Sequence, residues 1–132
     1  MKLITRDTDY AVRAVCFIVR HKERVISVTE LVKKLKIPRP FLRKLLQALS
    51  KKGVLGSHRG LGGGFSLAKP ANKIFLVDLI EIFQGPLKLN ECFFKKITCP
   101  NVKRCLLRKK IDNIERYVQD SLKSITIASL LK

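Results

Sequence analysis

Residues 27–53 read SVTELVKKLKIPRPFLRKLLQALSKKG, and this stretch decides the fold. Ser27-Val28-Thr29-Glu30 has capping-box spacing, in which the serine oxygen and the glutamate carboxylate satisfy free N–H groups at a helix start. A short helix over about 28–35 follows from it. Lys36-Ile37-Pro38 breaks that helix, and Pro40 is tolerated near the start of the next one because its missing N–H would have no intrahelical partner there. The new helix begins near Arg39. Phe41, Leu42, Leu45, Leu46 and Leu49 form its buried stripe, Arg43, Lys44 and Gln47 project from other faces, and Gly53 is placed to end it. Helix, short turn, basic helix is the pattern of a helix-turn-helix.

Upstream, Tyr10, Ala11, Ala14, Val15, Phe17, Ile18 and Val19 recur at helical spacing, predicting an amphipathic helix from Thr8 to His21 with Cys16 as a small core residue. Downstream, Val54 to His58 and Phe65 to Ala68 flank Arg59-Gly60-Leu61-Gly62-Gly63-Gly64, two short strands around a glycine turn. That hairpin is the wing. A phosphate-cradling nucleotide loop would need Lys-Ser or Lys-Thr after the last glycine, where Phe65 stands. A short helix over Val77–Phe83 is stopped by Gly85-Pro86, and a long helix spans about residues 103–123. Along the latter, Ile111, Ile114, Val118, Leu122 and Ile125 form a narrow seam suited to a partner helix, or else to covering the chain's own core. The expected fold is mainly α with a small β-hairpin wing: a winged helix-turn-helix over 1–85, then a cysteine-containing sensor segment and a long C-terminal dimerisation helix over 86–132.

Charge narrows the partner. The 28 Lys and Arg against 10 Asp and Glu leave +18, and residues 31–77 hold eleven cations and no carboxylate. Such a one-sided stretch builds a positive field suited to phosphates, although a merely solvated basic face or a general nucleic-acid coat would share it. No apolar run approaches bilayer-spanning length, and the first residues lack signal-peptide character, so a cytoplasmic protein without membrane contact is expected. Thiols or metal ligands then suit the four cysteines better than disulfides. An enzyme is not indicated, because His21 and His58 lack a nucleophile or carboxylate at recognisable spacing.

A helix in the major groove reads base edges with its first turns while cations hold phosphates. Arg39, Pro40, Phe41, Arg43, Lys44 and Gln47, together with Thr29 on the preceding helix, are the candidates for that surface. Arg43 is the candidate for a bidentate guanine contact, and Phe41 either meets a thymine methyl or belongs to the core. On the wing, Arg59 is placed to enter a minor groove, Gly60, Gly62 and Gly63 let the backbone approach DNA, and His58 meets phosphate or solvent. Cys92, Cys99 and Cys105 form a C-x6-C-x5-C array beside Lys95, Lys96, Lys103 and Arg104. Cationic neighbours favour thiolates, which suit zinc or an iron-sulfur cluster, and the spacing is wider than that of zinc knuckles. Unliganded cysteines are the plain alternative.

The chain resembles the Rrf-two family of winged helix-turn-helix transcription regulators, the IscR, NsrR and CymR group. The resemblance rests on Met1-Lys2-Leu3, on Asp9-Tyr10-Ala11-Val12-Arg13, on Ile37 to Gly53, and most specifically on Arg59 to Leu67; the cysteine trio matches the cluster-binding branch, and Ile125 to Leu131 the family's C-terminal segment. It implies a homodimer on a palindromic double-stranded DNA operator, acting as a repressor whose DNA affinity changes when a [4Fe-4S] or [2Fe-2S] cluster is damaged. Nitric oxide, redox or cluster status would be the signal. Two departures stand out: Arg108 occupies the place of a ligating histidine in IscR-like relatives, and Arg43 that of an acidic residue. By analogy with NsrR-like relatives, Asp9 of the other subunit is a candidate fourth ligand, with Asp7 as the substitute if the helix starts earlier, or else Asp9 is only a helix-start carboxylate.

Overall fold

The computed structural model describes residues 3–88 and 106–131. Its elements in order are α1 (Arg6–Arg20), α2 (Val28–Leu35), α3 (Arg39–Lys51), β1 (Leu55–His58), β2 (Gly64–Leu67), a single 3-10 turn (Ala71–Lys73), α4 (Leu76–Gln84), α5 (Leu106–Lys123) and α6 (Ile127–Leu130). The two strands pair antiparallel, with Leu55 opposite Leu67 and His58 opposite Gly64. Cys92, Cys99 and Cys105 lie outside the described residues.

α1 starts two residues before the predicted Thr8, because Thr5 caps it by accepting the Thr8 N–H. Its buried face, Ala11, Ala14, Val15 and Ile18, lies against α2, α3, α4, α6 and β2, which makes it the centre of the molecule. Ser27 caps α2 through the Glu30 N–H at 3.1 Å. The expected reciprocal half of that box is replaced. Arg24 takes both oxygens of the Glu30 carboxylate, at 2.8 and 2.6 Å, since a bidentate charged pair is stronger than a neutral N–H contact. This pair holds the Glu30 carboxyl below its ordinary range and raises the Arg24 guanidinium above its own.

Between α2 and α3 the chain turns through Lys36 in the left-handed conformation (φ 56°), and Ile37 drops into the core. Leu42, Leu45, Leu46 and Leu49 bury the inner face of α3. Phe41 leaves the predicted stripe: it is 43% exposed, with the Arg6 guanidinium 5.1 Å from its ring centroid. A bridge that sequence did not foretell ties the wing to the body. The Ile26 N–H donates to the Phe65 carbonyl at 2.9 Å, and the Phe65 N–H donates to the Ile26 carbonyl at 2.8 Å.

α4 ends at Gly85 (φ 77°), as the Gly-Pro pair predicts. Its last side chain, Gln84, accepts from the Thr5 N–H at 2.9 Å and from the Thr8 hydroxyl at 2.6 Å, and donates to the Leu3 carbonyl at 3.1 Å. The chain's end returns to the core: the Leu76 N–H donates to the Ile125 carbonyl, the Ile127 N–H to the Ile74 carbonyl, and Ile127 is buried beside α1. Thr126 and Ser129 form a reciprocal capping box for α6, an element absent from the sequence expectation. The α5 seam divides in consequence. Val118, Leu122 and Ile125 pack with Leu76 and Ile80, whereas Ile114 is 52% exposed with Leu106, Leu107 and Tyr117. No helix among the described residues is long and apolar enough to cross a membrane.

Candidate nucleic-acid interface

The buried leucines of α3 fix which of its side chains face outward. Arg43 and Gln47, four residues apart on one exposed row, form a wall of a groove of about 480 Å³. Ser27, Val28 and Thr29 line it from the α2 start, and Ser57, His58, Arg59, Gly60, Gly63, Gly64 and Phe65 from the wing. Pro40, Phe41 and Lys44 border a separate depression of about 150 Å³ on the neighbouring row. Arg39 joins the two helix starts, its Nη2 donating to the Thr29 hydroxyl at 3.2 Å. The first turn of α3 has neither an acidic residue nor a side-chain cap, so its positive end is left for an external anion.

Wing geometry is set by glycine. Gly60 and Gly62 take φ values of 88° and 75°, and a Cβ on Gly63 would fall 2.5 Å from the His58 carbonyl oxygen. The tip is therefore packed onto the end of β1. His58 Nε2 and the Ser66 hydroxyl lie 2.8 Å apart, which holds the ring across the hairpin.

Ion pairs lie elsewhere. Among the described residues they are Arg13–Asp9, Arg24–Glu30 and Arg108–Asp112, so Arg39, Arg43, Lys44 and Arg59 keep their charge for an outside partner. The structure thus gathers Thr29, Arg43, Gln47, His58, Arg59, Gly60 and Gly63 around one groove, with Gly62 in the turn above it and Pro40, Phe41 and Lys44 beside it. Two exposed residues escaped the sequence reading. Arg6 reaches Phe41 from the start of α1, and Leu61 stands at the wing tip.

For the sensor candidates, the described residues carry Asp9 and Cys16. Asp9 sits in the first turn of α1 with its side chain 46% exposed, and one oxygen is 3.1 Å from Arg13 Nε. Cys16 is half-buried against the core; burial pushes its thiol up, partly opposed by Arg20. No group of three or more His, Cys, Asp or Glu side chains among the described residues is arranged to hold a metal.

Residues 4–132 match the profile of the Rrf2 family, described as iron-dependent transcriptional regulators. A protein of Aquifex aeolicus described as an HTH-type transcriptional regulator is 37% identical over 132 residues, covering 98% of this chain and 92% of that protein. Among solved structures, CymR of B. subtilis superposes with a TM-score of 0.79 at 23% identity, covering 99% of this chain and 97% of that one. IscR of T. potens does so at 0.76 and 24%, covering 99% and 86%. These likenesses establish the winged-helix fold with a long C-terminal helix.

Proposed function

The chain belongs to the Rrf2 family of transcriptional regulators, and from that premise we propose that it grips a palindromic operator as a homodimer and adjusts its grip through an iron-sulfur cluster. The groove between α3 and the wing carries this reading, because it brings Arg43, Gln47 and Arg59 together with no carboxylate in its lining. α3 lies in the major groove, with Arg43 and Gln47 toward base edges, and Arg59 enters the adjacent minor groove. Lys44, Arg39 and the open helix start hold phosphates. His58 and the wing glycines bring the backbone alongside. Residues 1–85 perform this reading, while 86–132 provide the sensor segment and the dimer helix. Leu106, Leu107, Ile114 and Tyr117 support dimerisation, since α5 exposes them where the core makes no use of them.

The donor chemistry of the sensor segment fits a thiophilic centre. Cys92, Cys99 and Cys105 are three thiols within fourteen residues and have four cationic neighbours. They would hold a [4Fe-4S] or [2Fe-2S] cluster, and Asp9 of the partner subunit is the candidate fourth ligand. Half-exposed and held by an exposed arginine, that carboxylate is accessible for exchange. Bound there, the cluster supplies a centre that oxygen or nitric oxide degrades, and a ligand shared across subunits makes the spacing of the two α3 helices depend on it. The repressor role belongs to the same proposal.

Anaerobically purified protein tests both halves. Visible absorption with matching iron and sulfide is expected for wild type and lost in Cys99→Ala, whereas Asp9→Ala keeps a cluster that decays faster. A colourless protein that binds zinc, or one whose thiols respond directly, replaces the cluster reading while leaving the DNA reading intact. Duplexes selected from a random library should bind about 10³-fold or more tighter than random duplex. If about six to ten phosphates are engaged, the log-log salt slope is about −5 to −9. A ratio near one would make the protein a non-specific nucleic-acid coat.

A further inference from the structure

The wing tip presents an apolar side chain where a basic interface gives no reason for one. Leu61 has a relative exposure of 107%, so none of the described residues shields it. It is also held firmly. The Gly63 N–H donates to the Gly60 carbonyl at 3.0 Å, closing a four-residue turn with Leu61 and Gly62 at its centre. Gly62 supplies the positive φ that the third position of a type II turn needs. Because Gly63 has no room for a Cβ against the His58 carbonyl, the turn rests on the end of β1. Leu61 therefore occupies the outer corner of a closed, backed turn, two residues beyond Arg59.

Chemistry selects the partner. A single leucine flanked by glycines is too small for a protein-docking patch, which needs a few hundred Å² of contiguous apolar surface. Its surroundings are cationic, since no Asp or Glu occurs between residues 31 and 77. A polyanion with an apolar interior satisfies both conditions, and the minor groove of duplex DNA is one: phosphates line its edges, while sugar walls and stacked bases make its floor. We propose that Leu61 is an apolar wedge that follows Arg59 into the minor groove and partly unstacks one base step, giving a preference for flexible pyrimidine–purine steps beneath the wing. The preference arises because TA and CA/TG steps deform at least cost. The inference rests on the DNA-reading function above and adds to it a residue that selects sequence through deformability rather than hydrogen bonding.

The test uses duplexes selected from a random library by the full-length protein, with the step under the wing located by footprinting and its adenine replaced by 2-aminopurine. Wild type should raise 2-aminopurine fluorescence on binding and favour TA or CA/TG at that step. Leu61→Ala should bind these duplexes about 5- to 20-fold more weakly, with no fluorescence rise and an unchanged salt slope. Leu61→Met should restore much of both signals, which separates apolar insertion from a disturbed turn. If Leu61→Ala binds within twofold of wild type with the same fluorescence change and step preference, the wedge is refuted while the regulator reading stands. Should wild type select no sequence at all, the DNA-reading function and the wedge fall together.

Discussion

Replacing Gly64 with alanine should loosen the wing from the body of the protein. Gly64 opens β2 at φ 152°, a conformation in which L side chains are strained by about 1–3 kcal/mol. Its Cβ would also sit inside the Ile26 carbonyl, which is backbone and cannot swing aside. Relief requires β2 to move off Ile26, and that breaks the two Ile26–Phe65 hydrogen bonds, worth about 0.5–1.5 kcal/mol each. With partial exposure of Phe65 the loss comes to about 3–6 kcal/mol, a large share of the roughly 5–15 kcal/mol that holds an ordinary domain. Urea unfolding followed by circular dichroism measures it as a lowered midpoint. Gly56→Ala is the control within the same hairpin. Its Cβ would meet the Ser66 hydroxyl at 3.6 Å in ordinary contact, so alanine there should be neutral or stabilising by up to about 1 kcal/mol. Below its melting point, Gly64→Ala should also bind operator more weakly, because the wing carrying Arg59 no longer keeps its place opposite Arg43. A Gly64→Ala protein within about 1 kcal/mol of wild type, or no worse than Gly56→Ala, would show that the Ile26 bridge does not fix the wing.

Arg43→Ala should relax base preference at one position of each half-site by roughly 1–3 kcal/mol, whereas Arg59→Ala should chiefly weaken the preference for A-T-rich flanks, as selection from random duplexes would read directly. Equal losses on every sequence would reduce both residues to phosphate contacts. Glu30→Gln tests the Arg24 link through pH. The Glu30 carboxyl is held below its ordinary value near 4.5, so the link stabilises the fold above that value and is lost as pH falls through the lowered one. Glu30→Gln should therefore flatten the acid limb of the melting-temperature profile, and an unchanged acid limb would show that the pair contributes nothing measurable.

Local signals carried most of the fold. Hydrophobic spacing and the punctuation by Pro38, Pro40, Gly53 and Gly85 placed the helix-turn-helix, the hairpin and α4 within a residue or two. Two of the failures come from competition by residues outside the helix concerned, and the third from an unfamiliar local cap. Glu30 fits the capping box by spacing, but Arg24 is the stronger partner once the α1–α2 turn brings it round. Phe41 fits the stripe by count, yet the four leucines fill the inner face of α3 and Arg6 holds the ring outside. α6 was missed because its box uses serine at the third position, where glutamate or glutamine is the familiar signal.

The interface residues were readable as a set but not as an arrangement. Helical phase sorts them into two rows four residues apart, Arg43 with Gln47 and Pro40 with Lys44, and sequence alone gives no sign of what each row faces. In the structure the first row looks across the groove to the wing, and the second borders the depression it shares with Phe41, whose ring meets Arg6 of α1. Each row therefore answers to a different part of the molecule. The wing is placed by Ile26 and Gly64; the start of α1 is placed by the Gln84 bonds to Leu3, Thr5 and Thr8. A change at the wing should accordingly alter what Arg43 and Gln47 read, and a change at the start of α1, where Asp9 also sits, should act first on Phe41. Leu61 escapes both rows: a lone leucine among glycines has no period to betray it, and only the closed turn beneath it shows that it is presented rather than left over.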